Sequence, residues 1–551
     1  MGRMRAYASL LAIVLCLAPA LAHAATYRVG PSAAADFRQL TELPALGPGD
    51  LVEVEGGADY NGGVIFDIDS DGTVAMPVVI RGLVAGGVAR PRIVGGANNT
   101  IELQGDHYVL ENLDVSGGAR RCVYHHANDI TVRDSVVHDC PRQGILGADN
   151  DSGSLTLERV EVHHCGEGTQ NHQIYMATDE VAYPGSVFRM QHCWIHDANG
   201  GNNVKSRAER NEIYSNWLEG AYYHELELIG PDPSGGIDED EAREDSDVVG
   251  NVLVKRGSNE RFSVVRFGGD GTGQSQGRYR FAFNTVIVAP GSGAAVFRLF
   301  TGLESVEMHS NVFAMRGGGG VNLLREVEAV WVRGRLVSGT NNWVSTGSTN
   351  VPTEWTGTLM GADPGLVEID ALATLDPSPA SMSSAVVDNG LEPPPAFATA
   401  PFPSPLDAPT TSPLHAPGSL PRALVGTIDR GAYEFGTPSP AVDAGVVPGT
   451  DGGVIADTDA GPGFDGGPGF DGGPGFDGGP GFDGGPNFDG GPNFDAGTRV
   501  DAGRVDAGGG VTPPSDDGGC GCRTTGTRRG DGLALGALLM LALALLRRTR
   551  R

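Results

Sequence analysis

The segment NNVKSRAERN places a lysine and an arginine close together in a chain that is otherwise rich in glycine, short aliphatic residues and acids. Lys205 could act as a general base, because the nearby charges of Arg207 and Arg266 disfavour its protonated form. Tyr175 or His172 could then act as the acid that assists the leaving oxygen. These residue types suit β-elimination on a uronate polymer, in which cations also neutralise the substrate carboxylates.

The side chains around Lys205 can be aligned as the middle residues of short strands, one strand per repeat. The predicted outward column contains Tyr124, Leu146, Tyr175, Lys205, Glu227, Arg266 and Arg298. Flanking positions that we also expect to face outward add Gln173, Asn203, Arg207 and Glu225. We predict Lys205, Tyr175 and Arg266 as catalytic residues. Gln173, Asn203, Arg207, Glu225, Glu227 and Arg298 are predicted to bind substrate. Alternatively, the mixed charges keep a sheet face soluble and in register.

The strands that carry this column belong to a repeat of about eight short runs. Each run has six positions. The first is apolar, the fourth is a small residue or Asn, and the sixth is apolar again. They are LENLDV, VRDSVV, LERVEV, MQHCWI, IYSNWL, VVGNVL, FAFNTV and MHSNVF, which start 22 to 35 residues apart. A period of this kind is typical of solenoids, whose repeats stack to bury a continuous core.

Two positions of the repeat indicate its interior. The fourth position ends in four successive asparagines, Asn216, Asn251, Asn284 and Asn311, and the sixth is apolar in all eight runs. This pattern resembles the asparagine ladder of right-handed parallel β-helices of the pectate-lyase-like type. The resemblance implies an all-β fold, a single-stranded right-handed parallel β-helix (solenoid). GDLVEVEGGADYNGG resembles its opening coils, and IDRGAYEF resembles its usual last strand.

The segment KSRAERNEIYSN resembles the Lys-Ser segment of β-helix lyases that cleave alginate and dermatan, in which the lysine is the base. Those enzymes hold calcium with an acidic pair just before the lysine, where this chain has Asn202 and Asn203. They carry an arginine one coil later, where this chain has Glu227. The longer stretch from NHQIY to HELELIGP is similar to exported bacterial β-helix proteins with no assigned activity.

The repeat also places histidines and cysteines. His138, His163 and His196 fall one position past the apolar column, where we expect a solvated polar ladder, because parallel side chains on a flat face do not converge on a tetrahedral metal. Cys140 and Cys165 fall at equivalent positions of adjacent coils, within disulfide range. Cys193 is expected to be buried, and Cys122 is not placed by the repeat.

The ends of the chain indicate export. The first 24 residues, ending in Ala-His-Ala at Ala24, are typical of a cleaved secretory signal. The formal net charge of -29 makes a nucleic-acid partner unfavourable. Residues 436–519 contain six-residue repeats, PGFDGG and PNFDGG, with too little apolar area to fold, so we predict a disordered stalk. Their regularly spaced aspartates could bind calcium, although the aliphatic strands of calcium β-rolls are missing.

The final segment, residues 520–551, combines CGC at Cys520 and Cys522, the apolar run Leu533 to Leu546 and a terminal arginine cluster. This order resembles the C-terminal sorting signal of myxobacterial surface proteins (MYXO-CTERM type). The resemblance implies that a sorting protease removes the hydrophobic helix at the cysteine motif. A plain membrane anchor is the alternative, although the run of 14 apolar residues is shorter than a usual span.

These features predict four parts: a signal peptide (1–24), a β-helix domain (25–435), a stalk (436–519) and a sorting signal (520–551). We expect a monomer that is anchored at the cell surface or outer membrane. It would bind an acidic polysaccharide and, on the lyase resemblance, cleave it. The alternative function is a non-catalytic adhesive or structural surface or coat protein.

Overall fold

The computed structural model describes residues 24–148, 150–230, 244–257, 263–269, 275–291, 295–327, 330–402 and 404–440. The chain divides into two compact units, Met1–Val454 and Ile455–Arg551, and every described residue belongs to the first. The predicted signal peptide with Ala24 as its last residue, the stalk beyond residue 440, and the sorting signal with Cys520 and Cys522 lie outside the described residues or at their edge. Within the described residues, no helix is long and apolar enough to cross a membrane.

The described chain is a right-handed parallel β-helix, as predicted. Each coil contributes one strand to each of three parallel sheets, in the order first, second, third. The first sheet consists of β1 (Thr26–Val29), β2 (Leu51–Glu55), β5 (Val78–Leu83), β8 (Tyr108–Glu111), β11 (Ile130–Arg133), β14 (Leu155–Glu158), β17 (Val187–Gln191), β20 (Arg210–Tyr214), β23 (Asp245–Val249), β26 (Gly277–Ala282), β29 (Leu303–His309) and β32 (Val337–Thr340).

The other two sheets follow the same stacking. The second consists of β3 (Asp59–Asn61), β6 (Arg92–Val94), β9 (Asp114–Ser116), β12 (Val136–His138), β15 (Glu161–His163), β18 (Trp194–His196), β21 (Trp217–Glu219), β24 (Val252–Lys255), β27 (Thr285–Val288), β30 (Val312–Met315), β33 (Trp343–Ser345) and β34 (Leu359–Gly361). The third consists of β4 (Val64–Phe66), β7 (Asn99–Leu103), β10 (Arg121–His125), β13 (Ile145–Gly147), β16 (Ile174–Ala177), β19 (Val204–Arg207), β22 (Leu226–Leu228), β25 (Val265–Phe267), β28 (Ala295–Leu299) and β31 (Asn322–Glu326).

The bend between the first and second sheets explains the repeat. The residue just before the small or Asn position has a positive φ in successive coils, for example 51° at Ser215, 54° at Phe283 and 54° at Ser310. The following asparagine points inward, and the Asn216 side chain donates to the Asn251 Oδ1 atom at 2.9 Å. The same contact joins Asn251 to Asn284 at 2.9 Å and Asn284 to Asn311 at 3.2 Å. The predicted ladder is confirmed.

The ladder extends one coil further than the sequence pattern indicated. Asn311 donates to the Asn342 Oδ1 atom at 3.0 Å. Gly339 stands where the repeat requires an apolar residue, and a Cβ there would meet the Trp355 indole within 2.4 Å. The indole of Trp355 therefore fills the space that the missing side chain leaves. Because Gly339 is not apolar in the required sense, this coil does not match the sequence pattern.

The disulfide differs from the expectation. Cys122 is bonded to Cys140, with a Cα–Cα distance of 5.6 Å, while Cys165 and Cys193 are free and buried. The bond therefore joins β10 on the third sheet to the bend after β12 in the next coil, since β10 carries Cys122 and Cys140 follows β12. Cys165 does stack on Cys140, whose backbone N–H lies 3.5 Å from the Cys165 sulfur, but Cys140 is already bonded to Cys122.

The chain after the last coil runs back along the outside of the β-helix. This return segment, residues 362–440, contains the antiparallel pairs β35 (Leu366–Glu368) with β36 (Asp376–Pro379) and β37 (Thr411–Leu414) with β38 (Ala416–Pro421). IDRGAYEF, predicted as a last strand, is not one. Its Tyr433 is buried against Trp217 and Ile287 on the outer face of the second sheet. Short 3-10 helices span Leu40–Glu42, Ala85–Gly87 and Leu372–Thr374.

Candidate functional site

The outward column of the third sheet has the register predicted from the sequence. Tyr124 pairs with Leu146, Tyr175 with Lys205, Lys205 with Glu227, and Glu227 with Arg266 and then Arg298 on successive strands. The column continues to Glu102 at one end and to Arg325 at the other. Because neighbouring strands lie about 4.8 Å apart, these side chains form a closely spaced row along the helix axis.

Lys205 is half-buried between an aromatic ring and a carboxylate. Its Nζ atom lies 5.2 Å from the centre of the Tyr175 ring, within the range of a cation–π contact. On the other side stands Glu227, the residue in register on the next strand. The positive charge of Lys205 and the carboxylate of Glu227 attract each other, and this attraction contributes to the low pKa of Glu227.

Glu227 is ionised and strongly held. Burial alone would raise its pKa, but the charges of Lys205 and Arg266 outweigh burial and lower the pKa to about 2. Arg266 donates from Nη1 to the Glu227 Oε1 atom at 2.7 Å, and the Asn202 side chain donates to the other carboxylate oxygen. Arg266 also donates from Nη2 to the carbonyl oxygen of Gly269 at 2.9 Å.

The two candidate acids have different surroundings. The Tyr175 hydroxyl accepts a hydrogen bond of 3.1 Å from Nε of Arg207, which is 5% exposed and also donates to the Gly230 carbonyl oxygen at 2.9 Å. His172 is 3% exposed, and its ring lies edge-on to Tyr175. Burial, with the charge of Lys205, lowers the pKa of His172 to about 3, so this imidazole is neutral near pH 7 and cannot serve as an acid there.

Three of the predicted binding residues do not face outward. Gln173, Asn203 and Glu225 are 0% exposed and form a hydrogen-bonded row inside the coils. The Gln173 amide donates to the Asn203 Oδ1 atom at 2.8 Å, and the Asn203 amide donates to the Glu225 Oε2 atom at 2.6 Å. Glu225 lies 3.5 Å from Nζ of the equally buried Lys255. The outward assignment was wrong because these residues lie at the bend before each strand, where side chains do not yet alternate.

Beyond Glu227 the outward column becomes wholly cationic. Arg266, Arg298 and Arg325 occupy equivalent positions on three adjacent strands. The Arg266 and Arg298 guanidinium carbons lie 3.9 and 4.9 Å from the centre of the Phe300 ring. Burial, aided by the charges of Arg266 and Arg325, lowers the pKa of Arg298. We call these three residues the arginine column. Like charges in register destabilise a sheet, so the arginine column lowers the stability of the folded domain.

Arg325 completes this column but was not among the predicted residues. It is exposed and, within the described residues, forms no ion pair. The segment NLLRE could have predicted this position, because Leu324 takes the inward position that Phe297 takes one coil earlier and Arg325 then follows as Arg298 does. The strand alignment ended one repeat too soon to include it.

The histidine column lies on the second sheet. The rings of His138, His163 and His196 stack, with centroid distances of 4.9 and 5.1 Å. His138 is paired to Asp114 at 3.0 Å, and that contact, together with Asp139, raises its pKa. Glu219 continues the column but is 2% exposed, because His415 of the return segment covers it at 2.7 Å. Among the described residues, no group of three or more His, Cys, Asp or Glu side chains is arranged to hold a metal ion.

No protein-family model and no curated protein matches the chain. Its fold is similar to that of several solved structures. The pectate lyase Pel9A is 12% identical, with a TM-score of 0.47, and the match covers 75% of this chain and 97% of that one. The PL6 family polysaccharide lyase Pedsa3628 from Pseudopedobacter saltans is 11% identical, with a TM-score of 0.33, and the match covers 65% and 97%.

A third similar structure is the alginate lyase from Paenibacillus sp. str. FPU-7, which is 15% identical with a TM-score of 0.32; the match covers 57% of this chain and 92% of that one. At these identities and TM-scores, the likenesses concern the parallel β-helix and carry no argument about the activity of this chain. The function has to be argued from the third sheet itself.

Proposed function

We propose that the outer face of the third sheet binds an acidic polysaccharide, with the arginine column as its main anion-binding element. The observation that carries this proposal is the register of Arg266, Arg298 and Arg325 on three adjacent strands. Guanidinium groups pair with carboxylates through two parallel hydrogen bonds, and a row at strand spacing suits a polymer with repeated negative charges.

The same face offers a surface for sugar rings. Tyr124 and Tyr175 are half-buried in the column, two coils apart, and Lys205 follows Tyr175 directly. An extended glycan that lies along the column would stack on the tyrosines at one end and place its carboxylates against the arginines at the other.

Binding without cleavage is the better supported form of this function. In the lyase motif a cation stands one coil after the lysine, but here Glu227 occupies that position and pairs with Arg266. Because Arg266 donates from Nη1 to Glu227 and from Nη2 to Gly269, it adds positive charge to the arginine column, while Arg298 and Arg325 supply the direct contacts with the glycan. Glycan binding without cleavage therefore agrees with this geometry.

Binding and turnover can be tested together. The exported protein is titrated with polygalacturonate and alginate at low salt while the ultraviolet absorbance of unsaturated uronates is followed. We expect binding without an absorbance increase, and about tenfold weaker binding for the double variant Arg298→Ala/Arg325→Ala. Arg92→Ala, on the second sheet, should bind like the wild type. Equal binding by the double variant would contradict the proposal, and an absorbance increase that Lys205→Ala abolishes would establish Lys205 as a base.

We also propose that the protein is exported and anchored at the surface through its C-terminal segment. The sequence features at Ala24, Cys520 and Cys522 support this proposal. A Cys520→Ala/Cys522→Ala variant should keep its hydrophobic tail, which mass spectrometry of the cell-associated protein would detect. Unchanged surface display with an intact tail in the wild type would favour a plain membrane anchor instead.

A further inference from the structure

A cavity of about 490 Å³ lies between the first sheet and the return segment, on a different face from the arginine column. Its floor consists of outward residues of β17, β20 and β23, among them Gln191 and Tyr214, which are paired in register. Its roof is formed by residues 404–411 of the return segment. The volume falls within the usual range for small-molecule sites, about 300 to 1,000 Å³.

The roof is fixed to the floor at its ends, so the cavity is preformed. Ser215 donates from Oγ to the carbonyl oxygen of Thr411 at 2.9 Å, and the His192 ring lies 3.1 Å from the Thr411 hydroxyl. At the other end, Arg280 donates to the carbonyl oxygen of Ser404 at 2.7 Å. A site held in this way loses little conformational entropy when a ligand binds.

The cavity wall holds polar groups with unused hydrogen-bonding capacity. Arg210 lines the cavity, but its Nη1 atom is buried beneath the wall and has no hydrogen-bond partner within the described residues. In the same part of the structure, the Tyr214 hydroxyl, the Gln191 amide and the Asp407 carboxylate make no hydrogen bond or ion pair with another described residue. Because Gln191 and Tyr214 are half-buried and Asp407 is exposed, a ligand in the cavity could reach both donors and acceptors around one aromatic ring.

The charges around the cavity nearly cancel. Glu212 is neutralised by Arg189, at 2.6 Å, and Asp247 by Arg280, at 2.6 Å. Arg210 pairs with both Asp247 and Glu212, and the exposed Asp407 of the roof also lines the cavity. Near-neutral surroundings with several carboxylates disfavour a polyanion, unlike the arginine column.

The roof adds an apolar surface. Leu406 and Ala408 pack on Val249 at the cavity edge, and Pro409 also lines the cavity. A pyranose ring has the matching character, because its C–H groups form an apolar face and its hydroxyls form a polar edge that both donates and accepts.

From these observations we infer that the cavity under the return segment is a second carbohydrate site, which takes a short neutral saccharide. Tyr214 would pack against the sugar ring, while Gln191 and Asp407 would bind its hydroxyls. The inference does not depend on the function proposed for the third sheet, because the two sites share no residue and select ligands of different charge.

The test is a titration of the full-length exported protein with maltose, cellobiose and lactose, followed by saturation-transfer NMR. We expect at least one disaccharide to bind the wild type and to bind Tyr214→Ala at least tenfold more weakly. Asp407→Asn changes an exposed roof residue without touching the core, so it keeps the test valid if Tyr214→Ala folds poorly. It should weaken the same disaccharide by about threefold or more.

Arg298→Ala on the third sheet is the matched control, which should bind the disaccharide like the wild type while losing affinity for polygalacturonate. Three results would overturn the inference. In the first, none of the three sugars binds the wild type. In the second, the wild type, Tyr214→Ala and Asp407→Asn bind the sugar equally well, and in the third, digalacturonate displaces the neutral sugar at a lower concentration than the sugar itself needs to bind.

Discussion

At the scale of single residues, the role of Lys205 depends on its neighbour one coil later. The segment around Lys205 resembles a lyase motif, but Glu227 replaces the arginine of that motif and is ionised, with a pKa of about 2. The replacement puts a carboxylate that accepts hydrogen bonds from Arg266 and Asn202 where the lyase motif has a cation. The position after Lys205 in the column therefore differs in charge from that of the motif.

Removing that carboxylate should strengthen glycan binding. Glu227→Gln keeps the size of the side chain and one acceptor oxygen, which can accept from Arg266 or from Asn202, but it removes the negative charge closest to the arginine column. We expect about threefold or more tighter binding of polygalacturonate, measured by calorimetry. Glu102→Gln, in the same column four coils before Lys205, is the control and should leave affinity nearly unchanged. Weaker binding by Glu227→Gln would show that Glu227 contacts the ligand.

Three glutamates should control the acid stability of the domain. The pKa values of Glu102, Glu219 and Glu227 are each about 2, below the ordinary value of 4.5; the main lowering contacts are with His126, His415 and Lys205 respectively. A lowered folded-state pKa gives stability that is complete above the unfolded value and is lost as the pH falls towards the folded value. The melting temperature should therefore drop between about pH 4.5 and pH 2. A constant melting temperature across this window would contradict these values.

At the scale of elements, the sequence predicts the positions that repeat from coil to coil, but it does not predict where side chains point at the bends between strands. The apolar column and the asparagine ladder recur at fixed positions, so their register was predictable. Asn203 and Glu225 were misplaced because the strand alternation of side chains was extended into a corner, where it does not hold. The pairing of Cys122 with Cys140 was missed because the repeat compares equivalent positions of successive coils, whereas Cys122 lies on a strand of the third sheet and Cys140 lies at the bend after the second.

The ladder can be tested at its centre. Asn284 accepts hydrogen bonds from the backbone and side chain of Asn251 and donates to the Val248 carbonyl oxygen, so Asn284→Ala leaves buried polar groups without partners. We expect a loss of at least ~2 kcal/mol in the free energy of unfolding, from urea denaturation. Asn98→Ala, at an exposed position, should cost less than about 0.5 kcal/mol. Equal effects of the two changes would mean that the ladder does not stabilise the coils.

At the scale of the whole molecule, the return segment buries part of the outer faces of the first and second sheets. Trp217 faces outward from β21, yet it is 0% exposed because His415 stacks on it at 4.3 Å and Tyr433 packs nearby. The sequence does not show this layer, since the return segment has no period and few strands. The third sheet keeps its half-exposed aromatic and cationic residues, which is why the proposed polyanion site lies there.

Deleting the return segment should expose an apolar surface. A chain that ends at Gly361 uncovers Trp217, Ile287 and Trp343, which are all 0% exposed in the intact domain. We expect aggregation and strong binding of a hydrophobic dye, since large exposed apolar patches promote association. A chain that ends at Pro440 keeps the layer and should stay monomeric in light scattering. A monomeric, dye-free protein ending at Gly361 would show that the segment is dispensable.

The central claim, that the arginine column binds a polyanion, is tested most directly by the salt dependence of affinity. The dissociation constant for polygalacturonate is measured at several sodium chloride concentrations for the wild type and for Arg298→Ala/Arg325→Ala. Ion pairing with a polyanion releases counterions, so the logarithm of the wild-type affinity should fall steeply with the logarithm of salt concentration. We predict a clearly shallower slope for the double variant. Identical slopes, or a wild-type affinity that does not change with salt, would contradict the account.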